Sequence, residues 1–190
     1  EQIIYMDPIE FKQLKAFARQ EGTYVGLIWI VSFACFIGEF SSPILGLSAM
    51  ILAVISPFFL AIRLKRFRDQ ARDGAISFRR ALAFCILAFF YASLLFAVAQ
   101  YVYFRYIDNG FLVSQYTTMF STPEAKNMMN AFAAGNQIKD GINLLGSLRP
   151  IEIVFEFLSM NISIGIIISV PIAAIMKSTT AINKSINKQE

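Results

Sequence analysis

Two carboxylates, Glu39 and Glu156, stand in stretches that are otherwise almost wholly apolar, and they are the side chains best placed to do chemistry. A carboxylate in such a setting is costly, so it faces water or the interior of a helix bundle, where it can hold a proton, an ion or a headgroup. Arg105 and Arg149 are the nearest candidate cations: Arg105 follows the third apolar run and Arg149 precedes the fourth. Isolated charges at that depth are hard to maintain, and the four residues are therefore expected to form one polar cluster. The plainer reading of the same residues is interfacial anchoring and ion pairing. The chain has no histidine among its 190 residues, which removes Ser-His-Asp, Cys-His and His-metal sites together. Cys35 and Cys85 both fall inside apolar runs with no paired spacing, so neither a disulfide nor redox chemistry is indicated. No catalytic residue, metal or cofactor is assigned, and the chain is not expected to be an enzyme.

The elements that must carry these charges are membrane spans. Hydrophobic residues make up 56% of the chain and the mean hydropathy is +0.57, against an apolar share of about 45 to 50% in ordinary soluble domains. Apolar runs at 23–40, 44–62, 81–103 and 151–176 are long enough for helices to cross most of a hydrocarbon core of about 30 Å. The expected fold is all-α: a polytopic, four-helix antiparallel transmembrane bundle with short interfacial helices. Residues 1–22 are a lead-in, 23–177 the membrane domain and 178–190 a tail. Asp7, Pro8 and Glu10 mark a helix start, and Phe11, Leu14, Phe17 and Ala18 give it an apolar face that suits a cytoplasmic membrane surface. Ser41, Ser42 and Pro43 make a tight hairpin turn, and Pro57 is expected to kink the second span. In the segment 109–150, Ser121, Thr122 and Pro123 start one short helix that Gly135 stops. Ile138, Ile142, Leu145 and Leu148 pattern a second, interrupted by Gly141 and Gly146.

Orientation follows from the basic connector at 63–80, which holds seven of the 17 Lys and Arg and should stay cytoplasmic. Arg66, Arg68 and Arg72 are read there as anchors to the anionic leaflet, with Asp73 and Gly74 breaking the helix and Ser77 capping the next. The net charge of +4 sits beside apolar spans, so it argues for topology and against nucleic-acid binding. Both termini are then cytoplasmic, while Tyr101, Tyr103, Phe104 and Tyr106 mark the outer interface. In the fourth span, Asn161, Gly165, Ser169 and Ala173 recur every four residues as a stripe of small or polar side chains on which another helix can pack closely. That helix belongs either to the same chain or to a partner. Gly22 and Gly26 form a lone GxxxG, a pattern that chance often produces.

The stretches GAISFRRAL entering the third span, AVAQYVYFRYIDNGF leaving it and RPIEIVFEFLSMNISIGIIISVPIAAIMKS across the fourth resemble the domain of unknown function 4199, a family of small bacterial four-span membrane proteins. The resemblance covers roughly 22–177 and implies four helices and an inner-membrane location, with no activity to carry onto particular residues. The functional expectation is a non-catalytic membrane subunit or scaffold that binds another membrane protein or a lipid. Its expected partners are membrane lipids and a membrane-protein partner or a second copy of the chain. A small proton- or solute-coupled transporter built on Glu39 and Glu156 is the alternative, and a lipid-linked membrane enzyme the third.

Overall fold

The computed structural model describes residues 8–71, 74–131 and 135–178. Within them every regular element is a helix, apart from one antiparallel bridge between Ile76 and Ser178. Four helices are long and apolar enough to cross a membrane: α1 (Pro8–Gly38), α2 (Pro43–Ala71), α3 (Phe78–Tyr106) and, last in the chain, α7 (Pro150–Met176). Three short helices, α4 (Phe111–Phe120), α5 (Pro123–Ala131) and α6 (Gly135–Ser147), join α3 to α7. The sequence suggested two. It missed α4, whose start depends on Asp108 rather than on a residue at Ser121 to Pro123, and Gly141 and Gly146 do not interrupt α6.

The first helix also differs from expectation. Lead-in and first span are one continuous helix of 31 residues. Its stripe of Leu14 and Ala18 is completely buried against the other helices, and the Phe17 ring lies 5.0 Å from that of Phe67. Half of the expected apolar face, Leu14 and Ala18, is thus covered by the chain itself, while Phe11 and Phe17 stay exposed. After α1, Ser41 and Ser42 donate their N–H groups to the Gly38 carbonyl at 3.0 and 3.1 Å, and Pro43 opens α2, as its fixed φ favours at a first helical position. Pro57 lies inside α2, which continues past it. A proline removes the donor for the carbonyl four residues back, here Ala53. The Ser56 hydroxyl supplies a replacement at 2.8 Å, and itself accepts from the Trp29 indole at 2.9 Å.

α3 is the axis of the packing. It lies between α1 and α7, and α2 packs along α1 and also touches α3 and α7. Glycines let both neighbours come close. A Cβ on Gly22 would stand 2.4 Å from the Ala88 carbonyl oxygen, one on Gly26 would be 3.2 Å from that of Ala92, and one on Gly165 would be 2.7 Å from the Phe89 Cβ. The small-residue stripe of α7 therefore faces α3 of the same chain, with Gly165, Ser169 and Ala173 buried there. The GxxxG pair, unremarkable as a pattern, turns out to set the α1–α3 approach.

The main core gathers at the connector end, where all four long helices meet. Leu14, Val25, Leu60, Leu64, Phe84 and Ala173 are fully buried there, and Phe67 stacks on Phe84 at 5.1 Å. The chain after α7 is clamped to the connector by a reciprocal pair of backbone bonds between Ile76 and Ser178, each 3.0 Å. Toward the opposite end the helices are joined by rings, with Phe33 meeting Phe96, Tyr103 and Phe104 at 5.3 to 6.1 Å.

Candidate functional site

At the end of α3 the chain turns through two left-handed residues, Asn109 (φ 42°) and Gly110 (φ 82°). The turn is held by Asp108, which is 8% exposed. Its carboxylate accepts the backbone N–H of Gly110, the N-cap of α4, and of Leu112 in the first turn, both at 3.1 Å, and it also accepts the Tyr103 hydroxyl, so it satisfies donors that the start of α4 would otherwise leave orphaned. The Asp-Asn-Gly run is a turn signal, and it was the one available clue to this element.

The turn roofs a cavity of about 500 Å³ between the end of α3, the start of α4, the end of α6 and the start of α7. Phe104, Leu112, Val113, Leu145, Leu148 and Ile153 give it apolar walls. Among its lining residues Arg105 is the cation and Asp108 the anion, and the described ion pairs do not join them. Arg105 sits in the last turn of α3, where a cation also complements the negative end of the helix dipole, with its guanidinium 5.9 Å from the Tyr106 ring centroid.

Among the described residues, the structure does not bring the expected four charges together. Arg149 is the N-cap of α7 and is taken by Glu152 three residues on, at 2.6 Å to one carboxylate oxygen, while the other oxygen accepts the Arg149 backbone N–H at 2.8 Å. This local pair forms because one turn of helix brings N-cap and third position together, and it leaves Glu156 one turn deeper on the exposed surface with no described partner. Glu39 folds back over the α1–α2 turn against Gly46, and its carboxylate accepts the Tyr116 hydroxyl at 3.4 Å. Phe40 flanks that contact, its ring 5.3 Å from Tyr116, so Glu39 serves to dock α4 on α1. Burial, reinforced by the Glu39 charge, pushes the Tyr116 hydroxyl up to about 12, which keeps it a donor at neutral pH.

At the connector end the important charges are ones the sequence did not single out. Glu21 is 5% exposed and pairs with Arg63 of α2, through Nε to one oxygen and Nη2 to the other at 2.6 Å. The Arg63 guanidinium also lies 5.5 Å from the Tyr24 ring and 5.9 Å from that of Phe59. The signal was present in the spacing, since Leu14, Ala18, Glu21 and Val25 share one helical face that is buried throughout. Arg80 pairs with Glu10 at 2.5 Å. Of the expected lipid anchors, Arg66 is exposed, whereas Arg68 is half-buried and donates to the Met176 carbonyl at 3.2 Å and to Asp69 at 2.7 Å, closing the end of α7. Arg72 lies outside the described residues.

The model of a family of proteins of unknown function, DUF4199, matches residues 20–178. The chain belongs to the DUF4199 family. No curated protein and no solved structure matches it. The family match spans all four long helices from within α1 onward, together with the whole α4–α6 segment that builds the cavity. In this DUF4199 chain the polar groups thus sort into two ends: a buried ion pair and helix clamps around the connector, and the Arg105–Asp108 cavity under α4.

Proposed function

We propose that this DUF4199 protein is a non-catalytic integral membrane subunit that binds a membrane lipid in the Arg105–Asp108 cavity. The orientation that goes with this reading puts the connector and both termini on the cytoplasmic side of a bacterial inner membrane and α4–α6 at the outer leaflet. The excess of Lys and Arg beside the connector supports it. The observation that carries the reading is the cavity itself: lined by apolar side chains together with one cation and one anion, and set where a long apolar helix ends, which is the level of lipid headgroups. The alternative of a partner helix loses its strongest support, because the α7 stripe that could have seated one is filled by α3. A transport path through Glu39 and Glu156 gains no support from placement, since the former docks α4 and the latter stands on α7 across α3 from α1.

The test is lipid retention through purification. The protein extracted in a mild detergent should carry about one phospholipid per chain by native mass spectrometry. Gly146→Leu should weaken retention strongly, because a Cβ at Gly146 comes no closer than 3.4 Å to Val113 and is tolerated, while the rest of the side chain occupies part of the cavity. Equal lipid retention by the wild type and a folded Gly146→Leu variant would contradict the proposal.

A further inference from the structure

We infer that the cavity selects a zwitterionic phosphoethanolamine headgroup, its phosphodiester on Arg105 and its primary ammonium on Asp108. The inference rests on the lipid-binding reading and adds the headgroup's chemistry to it.

Two unlike charges line one cavity without neutralising each other in any described ion pair. Arginine's planar fork suits a phosphate's oxygens. Asp108 is held in place by its two backbone N–H bonds, one to each carboxylate oxygen. An ionised carboxylate offers roughly four lone-pair sites, and with these two bonds and the Tyr103 hydroxyl it keeps room for about one more donor. A primary ammonium has three N–H donors and fits that capacity. A quaternary ammonium has none, and a glycerol headgroup, its phosphate on Arg105, would leave the Asp108 carboxylate with no cation to answer it. The apolar walls contributed by Val113, Leu145 and Ile153 then take the first carbons of the chains, which a free headgroup lacks.

The experiment reconstitutes the full chain in nanodiscs holding equal amounts of ethanolamine and glycerol phospholipids, and reads the lipid retained after transfer to detergent by native mass spectrometry. The wild type should retain the ethanolamine lipid in about tenfold preference, the size expected of one charge-assisted hydrogen bond. Asp108→Asn removes the negative charge and keeps one of the two oxygens that hold the turn, and should bring the preference close to one while lipid is still retained. Arg105→Gln, which leaves the cap untouched, should lower retention of both lipids about equally. Retained lipid with no headgroup preference in the wild type would overturn this inference and spare the lipid-binding reading, whereas no retained lipid at all would sink both. Free phosphoethanolamine that displaced the lipid at equal concentration would overturn the lipid as the source of the headgroup.

Discussion

Gly22→Leu is expected to destroy the packing of α1 on α3. The new Cβ would stand 2.4 Å from the Ala88 carbonyl oxygen and 2.9 Å from the Tyr91 Cβ, and a backbone carbonyl inside a helix cannot rotate aside. The helices would have to separate, and the cost should reach about 3 kcal/mol or more, the upper range for overpacking. Gly165→Leu should behave similarly, because its Cβ would come within 2.7 Å of the Phe89 Cβ, on the other side of α3. Gly141→Ala is the control: nothing lies within 4 Å of its Cβ, and alanine is the better helix former by about 1 kcal/mol. Thermal unfolding in micelles checks the order. Gly22→Leu with a wild-type midpoint would mean that α1 does not lie this close to α3.

The second large effect is expected at the Glu21–Arg63 pair. Removing one partner of a buried ion pair strands the other charge, which typically costs about 3 to 5 kcal/mol. Glu21→Ala should fall at or slightly below the low end, since 22% of the Arg63 side chain remains exposed and can be partly rehydrated. Replacing both residues together, Glu21→Leu with Arg63→Met, should recover most of the loss, because no buried charge is left and apolar contacts with Phe59 and Tyr24 remain. The double-mutant cycle is read from unfolding free energies in micelles. Additive single effects would show that the two groups do not interact across α1 and α2.

Much of the architecture was legible because it rests on local rules. The four apolar runs gave the long helices; Ser77 caps α3 through a bond from the Arg80 N–H; and Ser41 to Pro43 make the first turn. These features depend on residues within a few positions of one another. Partner choice depends on tertiary register, which spacing alone does not contain. Arg149 was available to Glu156 only until Glu152, one turn nearer, closed the bond first. Glu21 lay two residues outside the first apolar run and escaped a search for charges within runs, although its helical face was the buried one. The cavity was less accessible still. It is assembled from α3, α4, α6 and α7, and α4 is started by a carboxylate that precedes it rather than by any residue of its own apolar pattern.

The central claim is that a lipid resides in the cavity under α4 and is not merely part of the bulk bilayer. A photoreactive benzoylphenylalanine placed at Val113, in the cavity wall, and in a second protein at Ile167, which is 69% exposed on α7, tests this most directly. In native membranes both positions should yield phospholipid adducts by mass spectrometry. After extraction into detergent and extensive washing, the account predicts that illumination still gives the adduct at position 113 and no longer at 167. Loss of the adduct at both positions, or an adduct at 113 made of protein rather than lipid, would contradict it.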